Sequence, residues 1–170
     1  MKKFFVLTMA AVAMLFASCG GGSNSNSSNN VEPLKEGVKF ECDNYSVMLP
    51  TGMKESWKSG DLLNAQSEDG SVFFTANYYT GGPTKSQLKV TGEGLVGMVH
   101  GLNQEAKCEE PKVDGNMVTL KSIADGKVRL DYTYLKEDRI GVTGSLQFPE
   151  EDAAQWEEKF LPILKSIVFK

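Results

Sequence analysis

Gly92-Glu93-Gly94-Leu95-Val96-Gly97 spells G-x-G-x-x-G, the spacing with which a glycine turn brings backbone N–H groups to a pyrophosphate. That chemistry needs a parallel strand–helix–strand unit with the phosphate at the helix start. Stepped as a helix, the chain instead gathers Leu88, Leu95, Met98, Val99 and Leu102 into one apolar stripe, with Gly94, Gly97 and Gly101 together on an adjacent strip. The glycines read as a bare strip that lets a helix lie close to its neighbour, and no cofactor is expected. His100 is the sole imidazole and points away from the apolar stripe. It is expected in solvent, where it can neither build a multi-histidine metal site nor join a Ser-His-acid triad. No metal ligand and no catalytic residue is assigned.

The remaining candidates are carboxylates, thiols and phenols. Glu109-Glu110, Glu150-Glu151-Asp152 and Glu157-Glu158 are neighbours in sequence, as solvated faces and helix starts are. A calcium loop needs spaced oxygen ligands, and paired acids for glycoside cleavage would have to come from distant strands. Cys42 and Cys108 can form a disulfide closing a loop of about 66 residues, worth about 4 kcal/mol in the chain-entropy description. Free cysteine is also a common buried residue, so both states stay open. Tyr78, Tyr79, Tyr132 and Tyr134 supply aromatic hydroxyls that can either line a binding face or pack half-buried in a sheet.

Positioning such residues requires a folded body. Hydrophobic residues make up 41% of the chain and charged residues 24%, enough apolar mass for a core. The formal charge of −4 offers no basic field for nucleic acid. Val72, Phe74, Ala76 and Tyr78 alternate with Phe73, Thr75, Asn77 and Tyr79, the period of a strand. Residues 116–123, 127–135 and 139–148 continue as a meander broken by Asp125-Gly126 and Glu137-Asp138. Within it Val128, Leu130, Tyr132 and Tyr134 form a core face, while Arg129, Asp131 and Thr133 form a wetter one. Residues 85–102 and the stretch after Pro149 read as helices, the second burying Ala153, Trp156, Phe160 and Leu164. Pro162 is expected to kink or break that helix near Leu161. A final short strand is expected within residues 166–170.

The first residues carry an address. Lys2 and Lys3 precede an apolar run from Phe4 to Phe16, which is the pattern of an export signal. Leu15-Phe16-Ala17-Ser18-Cys19-Gly20 resembles the lipobox of bacterial lipoproteins. The resemblance implies removal of residues 1–18 and acylation of Cys19, which then anchors the chain in a lipid bilayer. Gly20 after the cysteine leans the sorting toward the outer membrane. Residues 20–30, GGGSNSNSSNN, have nothing to bury and read as a flexible tether holding the domain about 15 to 20 Å from the headgroups.

Residues 31–170 are expected to form one domain. Tyr45-Ser46-Val47-Met48-Leu49-Pro50-Thr51-Gly52 near its start and Leu164-Lys165-Ser166-Ile167-Val168-Phe169 at its end resemble the opening and closing motifs of the PsbP-like fold. The resemblance implies an α+β class: an antiparallel β-sheet flanked by helices in an α/β/α sandwich, serving as a binding or assembly-helper module rather than an enzyme. The expectation is therefore a membrane-tethered lipoprotein of the bacterial envelope that binds a protein partner or a small ligand. Two alternatives stand beside it. One is an envelope hydrolase whose carboxylates are gathered by folding; the other is a lipocalin-like carrier built on a closed barrel.

Overall fold

In the computed structural model, which describes residues 31–170, the two motifs just named meet. The leader, Cys19 and the tether lie outside the described residues. Alternation carries Tyr45, Val47 and Leu49 inward along β2 (Tyr45–Leu49), where all three are buried. β2 pairs antiparallel with β1 (Val38–Glu41) on one side and with β11 (Val168–Phe169) on the other, giving a three-stranded sheet in the order β1-β2-β11. Ser166 locks the closing motif onto the opening one. Its Oγ accepts a hydrogen bond from the Met48 N–H at 3.0 Å and donates to the Ile163 carbonyl at 2.6 Å.

The larger sheet comprises β3 (Met53–Ser59), β4 (Leu62–Ser67), β5 (Phe73–Thr80), β6 (Lys107–Cys108), β7 (Lys112–Asp114), β8 (Met117–Ala124), β9 (Lys127–Glu137) and β10 (Ile140–Pro149). Its order is β3-β4-β5-β10-β9-β8-β6, with β7 also pairing β8, and every pairing is antiparallel. Asp125 (φ 52°) and Gly126 (φ 69°) both turn left-handed between β8 and β9, as the Asp-Gly pair predicts. The sheet runs from β3 to β6 without those ends pairing, so the closed barrel of the carrier alternative does not form.

Two helices cover opposite faces. α2 (Ala153–Lys165), entered through a 3₁₀ turn at Glu150–Asp152, seats Trp156, Phe160, Ile163 and Leu164 against the side of the sheet that carries Phe74, Leu130, Tyr132 and Leu146. The small sheet closes the same core. α1 (Leu88–Leu102), entered through a 3₁₀ turn at Lys85–Gln87, lies on the other side, where Leu88 meets Val118 and Leu135, and Val99 meets Leu120 and Ala106. The α+β sandwich expected from the sequence is the fold observed.

Two local expectations are corrected. α2 runs through Pro162 instead of breaking at Leu161. The donor that proline lacks would have served the carbonyl of Glu158, which lies on the exposed side where water can take its place. The close approach of α1 is made by Gly92, not by Gly94, Gly97 and Gly101. A Cβ on Gly92 would stand 2.7 Å from Pro111 Cβ and 3.0 Å from Val118 Cγ2, whereas one on any of the other three would meet nothing within 4 Å. Met98 and Leu102, expected in the buried stripe, are 43% and 73% exposed. The helix contacts mainly β8 and β7, so its stripe narrows to the residues above those strands.

Candidate functional site

The face of the large sheet beneath α1 is built in cross-strand rows. Ser122, Arg129, Gln147 and Phe73 are direct neighbours across β8, β9, β10 and β5. The next row is Leu120, Asp131, Ser145 and Thr75, and the one after it Val118, Thr133, Thr143 and Asn77. α1 takes the apolar ends of these rows, Val118 and Leu120, and leaves the polar remainder beside it.

That remainder is not simply solvated. Asp131 is 1% exposed and Thr133 4%. Burying a carboxylate requires a partner, and Arg129 supplies it. Its Nε donates to both Asp131 oxygens at 2.9 and 3.0 Å, while Nη2 stands 2.8 Å from Oδ1. Hydroxyls satisfy one another alongside. Ser145 N–H donates to Thr75 Oγ1 at 3.0 Å, Thr143 Oγ1 donates to the Tyr132 carbonyl at 2.8 Å, and Thr133 and Thr143 hydroxyls lie 3.3 Å apart.

Arg129 separates two hollows along α1. One, of about 280 Å³, is lined by Val99, Leu102, Ala106, Ser122, Arg129 and Gln147, with Asp125 and Lys127 at its rim. The other, of about 230 Å³, is lined by Leu62, Asn77, Leu95, Met98, Asp131 and Thr143 among others. Both mix apolar helix residues with polar sheet residues, the composition of small-ligand sites.

The tyrosines named from the sequence do not form a common binding face. Tyr132 is fully buried, stacked on Phe74 and edge-on to Phe160, with its hydroxyl donating to the Thr75 carbonyl at 3.1 Å. Tyr78 and Tyr134 pack against the same core, Tyr134 beside Phe169. Tyr79 lies on the opposite side with Leu88, Val118 and Leu135. Its hydroxyl is buried without a hydrogen-bond partner among the described residues, and burial pushes the phenol pKa up to about 12. These are packing residues, the other reading their alternation allowed.

The disulfide is not formed. Cys42 is a buried free thiol in the core under the small sheet, and Cys108 a free thiol on β6 that packs with Val99, Ala106 and Leu120. Burial raises the pKa of both, and for Cys108 the Asp131 charge adds to the effect, which keeps the thiols protonated and weakly nucleophilic. His100 is exposed, as expected, with Nε2 3.2 Å from the Ala106 carbonyl oxygen.

The sequence-adjacent carboxylates serve ion pairing. Lys121 stands between Glu109 at 3.1 Å and Glu157 at 3.0 Å, in a hollow of about 180 Å³. Lys121 holds the Glu109 carboxyl below its ordinary value, opposite to the direction a general acid needs. Glu150, Glu151 and Asp152 form the turn leading into α2. Among the described residues no group of three or more His, Cys, Asp or Glu side chains is placed to hold a metal ion, and no helix is long and apolar enough to cross a membrane.

With this geometry in hand, solved structures supply a comparison. The solution structure of cyanobacterial PsbP (CyanoP) from Synechocystis sp. PCC 6803 matches with a TM-score of 0.58 at 14% identity, over 91% of this chain and 99% of that one. The Saccharomyces cerevisiae Ran-binding protein Mog1p matches with a TM-score of 0.54 at 14% identity, over 78% of this chain and 96% of that one. The fold is PsbP/Mog1-like. No protein-family profile matches the chain, and no curated protein matches it.

The Arg129–Asp131 pair, Ser122 and Gln147 escaped the sequence reading as site residues. A signal was present. Opposite charges two apart on one strand face are cross-strand neighbours of small hydroxyl residues, and that pattern marks a polar face built to be covered rather than wetted.

Proposed function

We propose that the chain is a lipoprotein of the bacterial envelope, held at a bilayer by acylated Cys19, whose folded domain is a non-catalytic binding or assembly-helper module. The leader with its lipobox-like Leu15–Gly20 segment and the tether of residues 20–30 support the anchor. The PsbP/Mog1-like fold supports the module, since one solved neighbour is itself a Ran-binding protein. The observation that carries the binding role is the half-covered polar face along α1, where structure is spent on two open hollows and not on a reactive constellation. The domain binds a protein partner or a small ligand there while the tether keeps it beside the membrane.

Metabolic labelling of the full chain with an alkyne-bearing palmitate analogue tests the anchor. The labelled protein is expected in the membrane fraction, and Cys19→Ser is expected to abolish the label and release the chain to the soluble fraction. An unlabelled, soluble wild-type chain would overturn the proposal. Affinity capture from those membranes, comparing wild type with a variant blocked along the groove by Met98→Arg, tests the module.

A further inference from the structure

The hollow between the C-terminal half of α1 and strands β8 to β10 has a chemical preference, one that rests on the binding reading above and goes beyond it. We infer that it takes a short-chain free carboxylic acid, with the carboxylate on Arg129 and Ser122 and the apolar tail along α1. A guanidinium has five N–H donors and no acceptor, so whatever meets it must offer oxygen acceptors. Asp131 occupies one side of the fork through Nε and Nη2, and the other N–H donors have no partner among the described residues. The end-on edge, with one donor on each terminal nitrogen, is left open, and Arg129 lines both this hollow and the neighbouring one that holds Asp131; the Asp131 charge disfavours an anion there and favours it here. Two parallel donors at fixed spacing match a carboxylate bidentately. Asp131, itself buried, acts as a positioning residue that holds the fork still.

Ser122 adds a hydroxyl beside the guanidinium. The residue is only 4% exposed and lines the same hollow directly across the strand pair from Arg129, yet its hydroxyl has no hydrogen-bond partner among the described residues. The hydroxyl opens onto the hollow, and beside unused guanidinium donors it offers one more donor to an oxygen that enters. Gln147, on the other side of Arg129, adds an amide N–H₂ to the same row. Asp125, whose carboxylate accepts from Asn103 Nδ2 at 2.9 Å, and Lys127 line the same hollow and contribute one charge of each sign.

The opposite wall is apolar: Val99, Leu102, Ala106 and Ala124. Leu102 is 73% exposed, so its side chain is accessible to an apolar tail. A volume of about 280 Å³ lies at the small end of ligand sites, which run from about 300 to 1,000 Å³ and favour a short acid over a long-chain lipid.

The test is a titration of the detergent-solubilised full chain with hexanoate, hexylamine and 1-hexanol, which share a tail and differ in head group, following the side-chain N–H resonances of Arg129 and Gln147 by NMR. Hexanoate is expected to saturate and shift both resonances, and to bind about tenfold or more tightly than hexanol, the increment of one charge-assisted bidentate contact. Arg129→Gln should remove that preference. Because it leaves Asp131 buried and unpaired, Leu102→Asp serves as a second variant. It keeps the ion pair and places a negative charge on the wall, and is expected to weaken hexanol through lost tail contact and hexanoate by a further several-fold through charge repulsion, so that the preference for the acid falls. Equal affinity for the three heads, no saturation by hexanoate, or an unchanged preference in Leu102→Asp would overturn the inference. A peptide with a free C-terminal leucine that outcompetes hexanoate would also overturn it, by assigning the fork to a chain end. Failure of hexanoate with intact Cys19 acylation and groove-dependent partner capture would refute this ligand and leave the binding module standing.

Discussion

Two tyrosines that look alike in sequence sit in opposite energetic situations. Tyr132 donates to the Thr75 carbonyl inside the core, and the Tyr79 hydroxyl is buried with no partner among the described residues. Removing a satisfied buried hydroxyl leaves its acceptor stranded, whereas removing an unsatisfied one relieves a desolvation cost. Tyr132→Phe is therefore expected to lower unfolding stability by about 1 kcal/mol, and Tyr79→Phe to raise it by about the same amount. Urea denaturation of both variants checks the signs. Alternation along a strand told which face each phenol occupies but could not tell them apart energetically. The partner of Tyr132 is 57 residues away in sequence, a contact made only by the fold. The same limit hid the candidate site. Arg129, Asp131 and Thr133 read as a wet face because polar residues on alternate positions ordinarily are, yet Asp131 and Thr133 are dry. Asp131 is paired by Arg129, and the Thr133 hydroxyl lies 3.3 Å from that of Thr143, beside a row whose Thr75 and Ser145 come together across 70 residues.

At the scale of the element, α1 separates two roles that its glycines seemed to share. Gly92 is where the helix touches its support, and Gly97 faces open space. Gly92→Ala is expected to cost about 1 to 3 kcal/mol through overpacking against Pro111 and Val118. Gly97→Ala should stabilise by up to about 1 kcal/mol, because alanine restricts the unfolded chain and favours helix. Thermal melts of the two variants should move in opposite directions. The helix itself was plain in the sequence because 3.6-residue periodicity survives any tertiary context. Which side of its apolar stripe would be covered was not, since that depends on how far across the sheet α1 lies. α2 shows the converse: its buried face was readable, but the passage through Pro162 depends on the solvent beside Glu158.

Across the whole molecule, the two ends of the domain are fastened by few atoms. Ser166 ties the end of α2 to the backbone of β2 across 118 residues, and β11 then pairs with the same strand. Ser166→Ala is expected to lower global stability by about 2 kcal/mol, since the Met48 N–H loses a partner in a half-buried position. Hydrogen exchange should show faster opening of the small sheet than of β8 to β10. The fold class was readable from the opening and closing motifs because each holds the residues that perform this fastening: Tyr45, Val47 and Leu49 on one side, Ser166 and Phe169 on the other. Strand order was not, since the ladder β5-β10-β9-β8 brings together segments with α1 between them in sequence. The small sheet also sets a timetable. β2 waits beside an empty flank until residues 168 and 169 have been synthesised, so its ladder closes only after β3 to β10 have been made. Partners so distant along the chain find each other slowly, and the small sheet is therefore expected to zip up late in refolding.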